Sequence, residues 1–182
     1  MSDTQTPQGI LALAKQYHYG LKDLLSQSGA AHFIVLERLQ DPGNLGTILR
    51  AGEAAGITGV IMDSQTADIY NPKVIRSTMG AVFRVPFVYV EDLKAALLQL
   101  KDHGVHLYAA HLKGQNSYDQ EDYTESTGFL IGNEAQGLSD EIASLADTYV
   151  KIPMAGSVES LNAAIASSVL MFEVARQRRN QK

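Results

Sequence analysis

The chain has 182 residues, no cysteine and a formal net charge of −5, a length that fits one ordinary domain able to bury its own core without disulfides or metals. The lack of cysteine and of a basic, apolar leader argues against secretion and for a cytoplasmic protein, and no apolar run reaches the ~18 to 20 residues of a membrane span. The acidic balance argues against a broad basic surface for nucleic acid, so any RNA contact has to come from local clusters. The candidates are Lys73, Arg76 and Arg84 midway, and Arg176, Arg178, Arg179 and Lys182 at the end; the terminal group reads more readily as a solvated helix tail, whose cations suit the helix dipole.

Taken in chain order, short β-branched or aromatic runs predict strands at residues 33–36, 59–62, 85–90, 105–110, 128–131 and 149–152. Helical periodicity between them predicts helices over 45–55, 92–101, 140–146 and 160–176. Such alternation implies an α/β fold with a mainly parallel sheet flanked by helices. In the first long helix Leu45, Ile48, Leu49 and Gly52 form one apolar stripe, and Arg50 lies about 155° from its centre at ~100° per residue, so it points away from the core. Upstream, Asp41-Pro42-Gly43 supplies turn chemistry, and Asn44 suits an N-cap. A strand-to-helix turn of this kind lies at the carboxyl edge of a parallel sheet, where ligands bind.

Two further loops have the composition of sites. Gly132-Asn133-Glu134-Ala135-Gln136-Gly137 follows a strand and reads equally as a backbone cradle for a ligand or as a glycine-permitted surface loop. Ile152 to Asn162 reads as a binding loop or as a plain loop with a capped helix start. The last helix has Val169, Leu170, Met171, Phe172 and Val174 around nearly its whole circumference, so it is either a central core helix or packed against a partner subunit. The five histidines, at 18, 32, 103, 106 and 111, show no metal-ligand spacing, and no metal is expected. Without a GxSxG elbow or a cysteine, acyl transfer is a poor reading.

In combination the three polar loops resemble, in order and separation, the three motifs of the SpoU (TrmH) family of RNA ribose 2'-O-methyltransferases, within the SPOUT superfamily: Asp41 to Arg50, Ile131 to Gly137, and Ile152 to Ala164. The resemblance covers almost the whole chain. It implies a C-terminal trefoil knot, which periodicity would never suggest because knots are nearly absent from folds in general. It implies S-adenosylmethionine held by Gly132, Asn133, Ile152, Met154, Leu161 and the stretch from Ala109 and Ala110 onward. It implies a catalytic group of Asn44, Arg50, Glu134, Ser160 and Asn162, with Arg50 toward the 2'-hydroxyl and Glu134 either accepting a proton or orienting Arg50. A guanidinium is in practice always charged, so Arg50 suits phosphate holding and stabilisation of a developing alkoxide better than base catalysis.

The same resemblance implies a homodimer through the last helix, and it places Asn71 to Pro86, with Lys73, Arg76 and Arg84, toward RNA, 23S rRNA in preference to tRNA. It divides the chain into a lead-in over residues 1–30 and a catalytic domain over 31–182. Ser2 to Gly9 resembles the junction to an N-terminal RNA-binding domain in longer relatives, a domain expected to be missing here. Two other classes compete: a non-catalytic RNA-binding or assembly module, disfavoured by the intact polar constellation, and a Rossmann-type nucleotide enzyme, which lacks the glycine fingerprint after its first strand.

Overall fold

The computed structural model describes residues 9, 10 and 12–181; the Ser2 to Gln8 part of the expected junction, and Lys182, lie outside them. A short helix α1 (Leu21–Leu25) leads into β1 (His32–Leu36), α2 (Pro42–Ala55), β2 (Gly59–Asp63), α3 (Pro72–Ser77), β3 (Phe87–Val90), α4 (Leu93–Asp102) and β4 (His106–Ala110). The chain continues through β5 (Asn116–Ser117), β6 (Thr127–Ile131), α5 (Asp140–Ala143), β7 (Thr148–Lys151) and α6 (Ala163–Asn180). Among the described residues the strands pair in parallel throughout, in the order β3-β2-β1-β6-β4-β7-β5. The expected parallel α/β sheet is therefore present, with the two-residue β5 as an addition that no β-branched run announces.

Strand alternation sorts the core into two layers. Ile34, Leu36, Phe129, Ile131 and Tyr108 face α2 and α6. Phe33, Val35, Leu107, Ala109 and Leu130 face α1, α4 and α5. Central strands buried on both faces read as continuous apolar runs, and His32–Leu36 and Thr127–Ile131 are buried at every position.

Helix α2 begins three residues earlier than its periodicity predicts. Asp41 is the N-cap, its carboxylate accepting from the Asn44 amide at 2.7 Å, and Pro42 opens the helix where a missing N–H costs nothing. Asn44 is thus not the cap, and its side chain is free for other work. The apolar stripe is as expected: Leu45, Ile48 and Leu49 are fully buried and Arg50 is exposed.

Helix α6 departs from its expectation in a different way. It packs along α2 with Ala164, Ser167, Leu170, Met171 and Val174 buried, while Ile165 and Phe172 remain 50% and 46% exposed. It is therefore a one-sided core helix with an apolar outer stripe. Its basic tail is largely committed: Arg176 pairs with Glu173, and Arg178 donates to the carbonyls of Ala30, Ala31, Tyr123 and Glu125. Among the described residues no helix is long and apolar enough to cross a membrane.

Candidate active site

A cavity of about 370 Å³ opens at the carboxyl edge of the sheet, where Ala110, Ile131 and Lys151 end β4, β6 and β7. This is the edge at which open parallel sheets bind ligands, and the volume falls in the range of small-molecule sites. Its walls come from the β6–α5 loop (Gly132 to Leu138), the β7–α6 loop (Ile152, Met154, Glu159, Ser160 and Leu161) and the inner face of α6 (Ala163, Ala166 and Leu170). Six of the seven residues expected to hold a cofactor line it. Ala109 does not: it is fully buried in the opposite core layer, because strand alternation turns it away from its neighbour Ala110. His111 and Leu112, which the sequence marked only as the stretch after Ala109, complete this wall.

The β6–α5 loop is folded back on itself by reciprocal backbone bonds between Asn133 and Gly137. A Cβ on Gly132 would stand 2.1 Å from the Gly137 carbonyl carbon and the Leu138 nitrogen, so only glycine closes this loop. Asn133 fixes the turn in both directions: its side-chain oxygen accepts from the Ala135 and Gln136 amides, and its side-chain nitrogen donates to the Arg38 carbonyl. Arg38 has a positive φ of 53°, which turns that carbonyl at the end of β1. A buried Glu37 holds the far end of the loop by accepting from the Ser139 amide at 2.8 Å.

Glu134 joins this loop to the start of α2. Its carboxylate accepts from the Gln40 and Asp41 amides at 3.1 and 2.9 Å and from the Asn44 side-chain nitrogen at 2.9 Å. Asn44 in turn accepts from the Asn162 side chain at 2.9 Å, and Asn162 caps α6 through the Ala164 and Ile165 amides. One chain of hydrogen bonds therefore runs through all three polar loops. Burial pushes the Glu134 carboxyl up, but the bonds from Asn44, Asp41 and Gln40 outweigh it and leave the group below the usual glutamate value. With those bonds in place Glu134 is a weak proton acceptor and a strong clamp.

Hydrogen bonds do not join all five expected catalytic residues. Asn44, Glu134 and Asn162 are linked, and Ser160 lies on the cavity wall. Arg50 is exposed on α2 and in none of the ion pairs among the described residues, so Glu134 does not pair with it here. Of the cations expected to face RNA, Lys73 and Arg76 are exposed on α3, whereas Arg84 is held by two bonds to Glu53 of α2. The clamp partners Gln40 and Asp41 were missed as site residues, because backbone amides leave no mark in a sequence pattern.

A glycine-closed loop, a cavity of mixed polarity at the sheet's carboxyl edge and a cross-loop carboxylate clamp define an α/β protein built to hold a small cofactor. Residues 31–172 match the model of the SpoU rRNA Methylase family, and the chain belongs to that family of RNA methyltransferases. A Staphylococcus aureus protein named as a TrmH family tRNA/rRNA methyltransferase is 35% identical over 176 residues, covering 94% of this chain and 71% of that protein. The SpoU methyltransferase AviRb from Streptomyces viridochromogenes superposes with a TM-score of 0.83 at 34% identity, over 88% of this chain and 65% of that one. An AdoMet-bound rRNA methyltransferase from Sinorhizobium meliloti gives 0.82 at 37% identity, over 89% and 62%. The chain thus spans slightly less than two thirds of those two solved proteins. Family membership also implies the trefoil knot expected from the motifs.

Proposed function

We propose that this chain transfers a methyl group from S-adenosylmethionine to a ribose 2'-hydroxyl of structured RNA, rRNA in preference to tRNA. The observation that carries the reading is the hydrogen-bonded line from Glu134 through Asn44 to Asn162, which ties the three family motifs together at the rim of one cavity. The residues present fit the cofactor: Gly132 lets the β6–α5 loop close on its own backbone at the cavity wall, and Ile152, Met154 and Leu161 offer apolar walls for an adenine ring.

When bound, S-adenosylmethionine supplies a methyl carbon on a cationic sulfur, which takes the carbon–sulfur electron pair as the ribose oxygen bonds to that carbon. The chain's part is chiefly positioning. Glu134, Asn44 and Asn162 keep the loops in register. Arg50, always charged and presenting a planar fork, holds a neighbouring phosphate and steadies the negative charge growing on the ribose oxygen, whose proton leaves to water.

We further read the outer stripe of Ile165, Val169 and Phe172 on α6 as a homodimer interface, since a contiguous apolar patch of this kind is costly in water. Calorimetric titration with S-adenosylmethionine tests the reading. Micromolar binding supports it; no heat from a chain shown by circular dichroism to be folded removes it.

A further inference from the structure

Beside Arg50 the surface carries two large apolar side chains that none of the described residues covers. Met79 is 68% and Phe83 54% exposed, in the segment that joins α3 to β3. The segment is not loose. Met79 has a φ of 51° and Gly80 one of 88°, and the turn is pinned by the Thr78 hydroxyl, which donates to the Ile75 carbonyl at 2.8 Å and accepts from the Gly80 amide. A residue with a side chain is held in the left-handed region only where its surroundings over-determine it. Here the outcome is an apolar pair presented to solvent.

Helical phase puts that pair next to Arg50. Gly46, Arg50 and Glu53 fall at i, i+4 and i+7, one face of α2. A Cβ on Gly46 would collide with Ser77 at the end of α3, and Glu53 binds Arg84, the residue after Phe83. The segment from Ser77 to Arg84 is thus anchored on α2 one turn before Arg50 and again just after it, with Met79 and Phe83 between the anchors. The exposed cations Lys73 and Arg76 lie on the adjoining α3.

An aromatic and a thioether flanked by cations suit a flat, anionic partner. We propose that Phe83, with Met79 beside it, is a platform on which an unpaired base of the RNA substrate stacks while its ribose lies toward Arg50. The inference rests on the methyltransferase reading above and specifies its substrate: bases inside a duplex have both faces covered by their neighbours, so a stacking platform selects a nucleotide in a loop, a bulge or a single strand.

The test uses the full chain and a short single-stranded RNA with one 2-aminopurine, whose fluorescence falls on stacking. Wild type quenches the probe, and the same RNA annealed to its complement competes poorly. Stacking on one aromatic sets the expected loss for Phe83→Ala at about 5-fold or more in affinity, together with loss of quenching, while Phe83→Trp retains both. Thermal unfolding confirms that the variants are folded. Equal affinity and quenching in Phe83→Ala overturns the proposal. So does dissociation of a dimer by Phe83→Ala with RNA binding intact, which would make the patch a contact between copies. If wild type binds S-adenosylmethionine but neither RNA form, the RNA reading fails and the platform with it; if wild type binds RNA and the variant matches it, the platform alone fails.

Discussion

Glu134 and Asn44, 90 positions apart in the chain, are joined by a hydrogen bond of 2.9 Å that closes the β6–α5 loop against the first turn of α2. The bond is charge-assisted, and the carboxylate lies at a helix start whose dipole favours it. Glu134→Gln replaces one acceptor oxygen by a donor that faces donors. Bonds to a charged group contribute about 1.5–3 kcal/mol, so the unfolding midpoint should fall and cofactor affinity should drop ~10-fold or more. An affinity within 2-fold of wild type, on the order of 0.4 kcal/mol, would show that the clamp does not shape the cavity.

Gly132→Ala asks the same loop for space it does not have. The added methyl would lie 2.1 Å from backbone atoms of Gly137 and Leu138, which no side-chain rotation relieves. Overpacking of this kind costs about 1–3 kcal/mol, and the loop has to open to relieve it. Denaturant unfolding should show the loss, and calorimetry a parallel loss of cofactor binding. Unchanged binding would mean that the loop adapts freely.

His32 makes a prediction about acid. It is 1% exposed at the start of β1, its Nε2 has no hydrogen-bond partner among the described residues, and burial, with the Arg178 charge second, pushes it down to about 3. The folded chain keeps His32 neutral while the unfolded chain protonates near its usual ~6.5. The unfolded state therefore binds more protons between those values, and stability falls as the pH drops through that window. From pH 7 to pH 5 this one group should cost roughly 2 kcal/mol. Urea unfolding of His32→Leu should show a shallower acid limb than wild type; parallel limbs would contradict the assignment.

Association is tested at α6. Phe172, 46% exposed on the outer stripe, can accept a charge without disturbing the packing against α2. Light scattering of wild type should give twice the chain mass, and Phe172→Glu should shift the population toward monomer with its circular dichroism unchanged. A wild-type monomer at micromolar concentration would remove the dimer.

Much of this arrangement was legible in the sequence because it rests on periodicity. The stripe of Leu45, Ile48 and Leu49 placed Arg50 on the outside, and alternating strands and helices announced the parallel sheet. The errors arose where two residues qualify for one role. Asp41 and Asn44 can both cap a helix, and the deciding signal was Pro42, which prefers the first helical position and so assigns the cap to Asp41. Ala109 was grouped with Ala110 although neighbours on a strand face opposite layers. The burial of His32, the four carbonyls gathered by Arg178 and the pairing of Arg84 with Glu53 depend on tertiary contacts across 31 to 148 positions, which no local pattern encodes.

Methyl transfer to a ribose oxygen through Arg50 would leave a product that itself reports on the reaction. Single-turnover reactions with labelled S-adenosylmethionine and an rRNA fragment, followed by alkaline hydrolysis, should leave the label in alkali-resistant dinucleotides, because a methylated 2'-oxygen cannot attack its phosphodiester. Arg50→Lys keeps the charge but loses the planar fork; its rate should fall ~100-fold or more, the usual cost of losing a transition-state donor, with cofactor affinity nearly unchanged. Label released in mononucleotides, or a Lys variant that turns over at the wild-type rate, would contradict the account.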